Sequence, residues 1–570
     1  MTRRMQYALS SILAFLLLPA LPNHAYAAEA KEHAQRPKLI LILVIDQFRG
    51  DYVERYQNEL TGRGFNLLYK EGAWFTDCYF DYANTKTAPG HATIGTGAYS
   101  DGHGIDANEW WDTRRNADRK VSSVEDERYQ LVDVPASSIP ANQPGAPANA
   151  LHYVLGASPR NLHATTIGDE LRLATKGQAR VYGISLKDRA AILPSGQAAN
   201  GAFWIDQLSG RFTTSTYYME HLPKWATEFN NSDALAKAER FAQAEGTTQF
   251  YDIVGLTPAA NDYELDFARA LITGEKLGQN SAPDMLVISL SPNDILGHQF
   301  GPDSDNAHEM VIAMDHELDS FFSWIDQTIG LKNVWIAFSA DHGIAPIPHE
   351  AAELGIHASY LDLPKLYAKL NEGLNARFSP GKKINYLMGT PELPQVVLNR
   401  KEFEAAKVDE KTAEEALATL LPSAVASQAP KTSEPLPLQH RQMQPPTIVG
   451  IYTRQQIANS ELPPSEWGRL LAHSYVDHGN WYDMLVLEGY QMEDVRAWGG
   501  TTHFSPWSYD RHVPLAFYGA PFIPGEYHGR VAPVDLAATL ASLAGVNQPS
   551  AAVGRVLTEA IRSVAKPESR

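Results

Sequence analysis

Six residues able to ligate a metal stand at or just beyond the ends of apolar runs. Asp46 closes the first run, Lys38–Ile45. Asp294 and His298 follow the run at 284–290, and Asp341 and His342 follow the run at 333–339. His503 lies late in the chain, in Gly499-Gly500-Thr501-Thr502-His503. Carboxylate oxygen and neutral imidazole nitrogen are donors that zinc takes. The i, i+4 spacing of Asp294 and His298 puts both on one face of a helical turn. The adjacent Asp341-His342 pair lets one strand end aim two donors at different positions of a cluster. Each motif alone is a weak sign, since an Asp-His-Gly loop often only turns the chain. Repetition at successive strand ends is what points to a metal cluster.

A second set could use such a cluster. In Asn84-Thr85-Lys86-Thr87-Ala88-Pro89-Gly90-His91-Ala92-Thr93, Pro89 suits the first turn of a helix. Thr87 then falls at the helix N-terminus, where free amides and the dipole favour an anion such as phosphate. An ordinary N-cap would look the same, and chemistry alone leaves Thr85 and Thr93 as rival nucleophiles. Read alone, Asn108 is a turn residue and Lys187-Asp188-Arg189 a solvated charge run.

The elements that must position these residues follow from hydrophobic pattern. Lys38–Ile45 is an uninterrupted β-branched run, as in a strand buried on both faces of a parallel sheet. Similar runs recur at 180–185, 284–290, 333–339 and 513–518, with helical stretches such as 160–175 and 305–327 between them. The alternation predicts an α/β fold with a mainly parallel central sheet sandwiched by helices. In such sheets ligands bind beyond the carboxyl ends of the strands, where the Asp and His residues stand. Residues 130–150 read as a surface excursion. Residues 345–490 read as an inserted subdomain, with strand-like pieces at 395–399, 447–452 and 484–487, a helical piece at 401–421 and a linker-like run at 421–446. The catalytic domain is expected to span 38–570.

The 570 residues carry 48 Lys and Arg against 66 Asp and Glu, a net charge of -18, and one cysteine. The acidic balance argues against a nucleic-acid partner held by phosphate neutralisation. It also means that any phosphate chemistry needs a local gathering of positive charge. One cysteine excludes an internal disulfide or a thiolate metal cluster. Arg3 and Arg4, a short apolar stretch and Ala25-Tyr26-Ala27 have the layout of a signal peptide over residues 1–27, followed by a polar linker at 28–37. A periplasmic or secreted protein is expected. No apolar run is long enough to span a membrane.

Taken in order, Asp46, Thr85 to His91, His103 to Asp112, Lys187 to Arg189, Asp294 to His298, Ala340 to Gly343 and Thr501 to His503 resemble the alkaline phosphatase superfamily. More narrowly they resemble its monomeric, phosphate-irrepressible type with a threonine nucleophile. The resemblance implies an alkaline phosphatase-like fold and a monomer that hydrolyses small-molecule phosphate monoesters with two zinc ions. It implies that Thr87 is phosphorylated during turnover, that Asp46, Asp341 and His342 hold the zinc that also meets Thr87, and that Asp294, His298 and His503 hold the other. It gives Asn108, Lys187 and Arg189 to the phosphoryl oxygens, with Lys187 in place of a third metal. A nucleotide pyrophosphatase/phosphodiesterase of the same superfamily is the alternative. A sulfatase is disfavoured, because Thr87-Ala88-Pro89-Gly90-His91 lacks that family's modified residue and arginine. His91, His103 and His512 are expected to make structural hydrogen bonds, and Trp110, Trp111 and Cys78 to pack. One departure from the family is Phe504, which follows His503 where a small residue is more usual.

Overall fold

A strand with no polar face has to be covered on both sides, and the chain builds its centre around one. The computed structural model describes residues 36–134, 156–244, 250–428, 445–494 and 499–562. The leader at 1–27 and most of the 28–37 and 130–150 segments lie outside the described residues. Strand β1 (Leu39–Ile45) is wholly buried. The other strands of its sheet are β2 (Ala73–Phe75), β3 (Val181–Ser185), β4 (Gly201–Ile205), β5 (Phe212–Thr213), β6 (Asp284–Leu290), β7 (Val334–Ser339), β8 (Leu515–Tyr518) and β9 (Gly525–Tyr527). Their spatial order is β9-β2-β8-β7-β1-β6-β3-β4-β5. The five strands from β7 to β4 run parallel. The expected run at 513–518 enters as β8, antiparallel to β7.

The register of the parallel strands is what makes a site. Ile45 of β1 lies opposite Leu290 of β6, Val44 opposite Ser339 of β7, and Ser185 of β3 opposite Ser289 of β6. The carboxyl ends are therefore level, and the residues that follow emerge along one edge.

Helices flank the sheet. They are α1 (Thr87–Thr96), α2 (Ile167–Ala174), α3 (Asp188–Ile192), α4 (Pro292–Phe300) and α5 (Asp305–Thr328). Helix α2 starts later than the 160–175 pattern suggests, because Thr166 and Asp169 form a capping box that fixes its first turn.

Between β7 and β8 the chain builds a second layer. Gln395–Leu398, Trp481–Leu487 and Ile448–Thr453 form a three-stranded antiparallel sheet. Helices α6 (Leu363–Phe378) and α7 (Glu410–Ala426) pack on it through Leu370, Leu374, Leu417 and Leu421, a core separate from the main one. Ser359–Leu361 pairs with Gln491–Glu493, so the two ends of this region meet. The single helical piece expected at 401–421 is two helices, Arg400–Ala405 and α7. Lys407 takes a left-handed turn between them, and the Asp409 side chain caps the second by accepting from the Thr412 amide. Helix α7 also runs into the expected linker, because Leu421, Ala424 and Val425 are buried on that core. Residues 429–444 lie outside the described residues. Among the described residues no helix is long and apolar enough to cross a membrane.

Helix α1 approaches the loop after β7 closely. A β-carbon at Gly90 would come within 2.2 Å of the Asp341 carbonyl oxygen, so only glycine lets the helix seat there. Gly90→Ala is expected to cost about 1–3 kcal/mol through overpacking. Thermal unfolding checks this; an unchanged Tm would show that the helix can shift freely.

Candidate active site and metal centre

The level strand ends bring five of the expected ligands to one place, and the loop before β8 adds His503. Asp46, Asp341 and His342 are fully buried, and Asp294 and His503 are 5% exposed. Asp294, His298 and His503 offer one donor atom each within 4.8 Å of one another, and so do Asp46, Asp294 and His342. Asp341 joins the second group through His342 Nε2, which lies 3.4 Å from both Asp341 Oδ2 and Asp46 Oδ1. Asp294 thus touches both groups.

Each imidazole is oriented by a backbone carbonyl. His298 Nδ1 lies 2.9 Å from the Thr501 carbonyl, His342 Nδ1 3.0 Å from the Gly343 carbonyl, and His503 Nδ1 2.5 Å from the Thr85 carbonyl. A carbonyl only accepts, so Nδ1 carries a proton, and in the neutral ring Nε2 keeps its lone pair. All three Nε2 atoms point at the carboxylates. Burial, reinforced by neighbouring imidazoles, holds His503 well below its ordinary pKa, and burial lowers His342 as well. Both are neutral, the form that binds metal.

The donor set fits a divalent cation. Asp46 Oδ1, Asp341 Oδ2 and His342 Nε2 are buried with no hydrogen-bond partner among the described residues. Such atoms are costly to bury, and here His342 Nε2 lies 3.4 Å from each of the two oxygens. Lys187 Nζ lies 2.5 Å from Asp46 and 2.6 Å from Asp294. Against burial, Lys187 and His298 hold Asp294 well below the carboxylate range. Burial, with Asp294 and Asp341 beside it, pushes Asp46 well above that range. One lysine does not balance three carboxylates, and oxygen and nitrogen donors without sulfur suit zinc.

Thr87 takes the first position of α1, the helix that rests on the Asp341 carbonyl through Gly90, with Lys86, not Thr87, in the N-cap position. It is 2% exposed. Its rivals are engaged elsewhere. Thr85 Oγ1 donates to the Ser505 carbonyl and accepts from the Phe504 amide, each at 3.2 Å. Thr93 Oγ1 lies 3.2 Å from His103 Nε2. Asn108 Oδ1 accepts from the Ala88 amide at 2.8 Å, which leaves its NH2 to donate. Arg189 sits in the first turn of α3, 3.8 Å from Asp188, and its Nε is buried with no hydrogen-bond partner among the described residues.

Several supporting residues had no signal in the sequence. Gln47 takes a left-handed turn directly after Asp46, donates its amide to Asp341 Oδ1 at 3.0 Å and its side chain to Asp294 Oδ1 at 2.7 Å. His91 makes the structural contacts expected of it, to the Thr87 carbonyl and Ser289 Oγ, and Nδ1 also lies 3.3 Å from Asp341. His103 and His512 likewise bind neighbouring polar groups, and Cys78 is buried. Trp110 packs in an apolar cluster with Ala88 and Ala92. Phe504 adopts φ +108°, a conformation that favours glycine. Its ring lies 4.4 Å from His503, with Lys86 Nζ 4.5 Å away over it.

A mostly parallel sheet with this cluster at its carboxyl edge defines an alkaline phosphatase-like protein. A sequence model of the type I phosphodiesterase / nucleotide pyrophosphatase family matches residues 40–469, and the chain belongs to that family. It is 30% identical over 574 residues to alkaline phosphatase PafA of Elizabethkingia meningoseptica, covering 94% of this chain and 96% of that one. It is 31% identical to alkaline phosphatase PhoV of Synechococcus elongatus, covering 92% and 93%. The crystal structure of PafA superposes with a TM-score of 0.77 at 29% identity, covering 93% of this chain and 99% of that one. A variant of PafA has been solved with a threonine, an asparagine, a lysine and an arginine replaced. The first two are 21 residues apart and the last two are two apart, the separations of Thr87 from Asn108 and of Lys187 from Arg189 here.

A cleft lies between the second layer and the segments that hold Lys86 and Ala107, the chain neighbours of Thr87 and Asn108; it is lined in part by Lys86, Trp110, Trp111, Lys120, Glu392 and Gln395. Glu392 pairs with Lys86 at 2.5 Å and with Lys120. Burial pushes Glu392 up, but the two lysines outweigh it and hold it near pKa 2. Glu493, nearby, accepts from the Leu393 amide at 3.1 Å, and burial together with Glu392 pushes it up to about 7. The folded chain keeps this proton to higher pH than the unfolded chain, so stability falls as pH rises from about 4.5 to about 7. Glu493→Gln should therefore stabilise the protein above pH 7 by on the order of 3 kcal/mol and do little near pH 4.5. Thermal melts at both pH values check this, and an equal effect at both contradicts it.

Proposed function

We propose that this chain is an exported alkaline phosphatase that hydrolyses small-molecule phosphate monoesters through a phosphothreonine at Thr87. The observation that carries the reading is a buried Thr87 at the N-terminus of α1, with Asn108 bonded to the next amide, in a helix whose Gly90 rests on the carbonyl of Asp341. The curated relatives named alkaline phosphatases support it, and the layout of residues 1–27 supports export.

In this reading Asp46, Asp341 and His342, with Thr87, would hold one zinc, and Asp294, His298 and His503 the other. Zinc there lowers the pKa of a hydroxyl and neutralises charge on the attacking and leaving oxygens. Thr87 Oγ attacks phosphorus in line, and the bond to the leaving alcohol oxygen breaks. Water then attacks the phosphothreonine from the Asp294, His298 and His503 side and returns Thr87 to its hydroxyl. Two in-line displacements retain configuration at phosphorus. The Thr87 amide and the Asn108 NH2 donate to the non-bridging oxygens. Lys187 adds positive charge between Asp46 and Asp294. Arg189 supplies donors suited to a dianion. The region at 345–490 is proposed to act as a cap that bounds the leaving-group side.

The family's description favours a second reading, a phosphodiesterase or nucleotide pyrophosphatase. Charge separates the two. A monoester brings one more negative charge to its non-bridging oxygens than a diester, and Lys187 with Arg189 answers it. Hydrolysis of an aryl phosphate and a bis-aryl phosphate by one preparation tests this. Lys187→Ala and Arg189→Ala should each lower monoester kcat/KM by about 10²–10³-fold, and diester turnover far less. Equal losses on both substrates favour the diesterase. Thr87→Ala should abolish the phosphorylated protein and lower kcat at least about 10³-fold. Wild-type turnover by that variant rules out the mechanism.

A further inference from the structure

The second layer also reaches the Asn108 loop, at a residue that the reaction itself does not use. Asp106 is 1% exposed, and both its carboxylate oxygens are taken from across the cleft. His478 Nε2 lies 2.9 Å from Oδ1, and Gln395 Nε2 donates to Oδ2 at 3.1 Å. His478 also stacks on Trp110, two residues beyond Asn108, at 4.4 Å and 13°. The stretch from Asp106 to Trp110 is thus held at both ends by one partner residue. Between those ends the hydrogen bonds of Asn108 go to the catalytic layer, through the Ala88 amide on Oδ1 and the Ser123 amide on its carbonyl, both at 2.8 Å.

We propose that Asp106 is a positioning residue, through which Gln395 and His478 of the inserted region set the Asn108 side chain over Thr87. The inference rests on the monoester reading above, which gives Asn108 to the phosphoryl oxygens. Asp106 accepts two hydrogen bonds in a buried place, where a carboxylate acceptor is worth more than a neutral one. Its backbone is thereby fixed two residues before Asn108. The Asn108 Oδ1 contact to α1 is then made at one height above Thr87, and the NH2 group is presented to whatever anion Thr87 holds. The inserted region thus helps to complete the phosphoryl site without supplying a group that touches substrate.

A double-mutant cycle tests this, because a residue that acts through Asn108 has nothing to act through once Asn108 is gone. The proteins are wild type, Asp106→Ala, Asn108→Ala and the pair, each zinc-loaded and checked by thermal melt. The readouts are kcat/KM on an aryl phosphate and the affinity for inorganic phosphate by calorimetry. Asp106→Ala should lower both about tenfold or more when Asn108 is present, and less than about twofold in the Asn108→Ala background. The same fold loss in both backgrounds overturns the proposal and leaves Asp106 a general brace. If Asp106→Ala does not fold, Gln395→Ala and His478→Gln take its place in the same cycle with the same two outcomes. If wild type binds phosphate but does not turn over the aryl ester, the monoester reading fails on its own, and the phosphate-affinity cycle still decides for or against Asp106.

Discussion

Three aspartates crowd into a pocket from which water is almost excluded, with one lysine between them, and the rest of the structure follows from that. Asp46, Asp294 and Asp341 are each 5% exposed or less. Packing like charges together in a low-dielectric place is unfavourable unless cations join them. The sheet imposes the crowding. Parallel strands with level carboxyl ends deliver whatever follows them to a single edge, and here carboxylates follow three strands that lie side by side. The unpartnered oxygens and the lone Nε2 at the centre show where the balancing charge belongs.

The parts around this cluster each fix an orientation. Backbone carbonyls of Thr85, Gly343 and Thr501 hold the three imidazoles so that Nε2 faces inward. Thr85 does more, because its hydroxyl also ties down Phe504 and Ser505. The loop that leads into Thr87 is therefore the loop that orients His503. The proposed nucleophile Thr87 and the proposed ligand His503, 416 residues apart in sequence, are thus joined through Thr85. Gly90 completes the arrangement by letting α1 rest on the Asp341 carbonyl. An acidic balance over the whole chain is compatible with the proposed phosphate chemistry, because the sign of the field at this edge would be set by Lys187, Arg189 and the metal ions proposed there.

Much of this was legible in the sequence, for physical reasons. A β-branched run without polar residues, such as Leu39–Ile45, can only be a strand covered on both faces, and an Asp or His just past such a run has to emerge at the strand's end. Other features leave no local trace. The antiparallel direction of β8 depends on its neighbours and not on its own residues. The break at Lys407 depends on Asp409 capping a new helix where a continuous one fits the pattern equally well. Gln47 and Glu392 look like ordinary surface residues until Asp294 and Asp341, or Lys86 and Lys120, are brought to them from far along the chain. Phe504 was legible as a departure, and its positive φ supplies the reason that a small residue suits the position.

The central claim is that this edge of the sheet is a site for two divalent metals. Anomalous diffraction at the zinc edge from crystals grown with zinc tests it most directly. The account predicts two peaks, one against Asp294, His298 and His503, the other against Asp46, Asp341 and His342 with the Thr87 hydroxyl beside it. Crystals with zinc elsewhere, or with none at this edge and Lys187 still bridging Asp46 and Asp294, would contradict it.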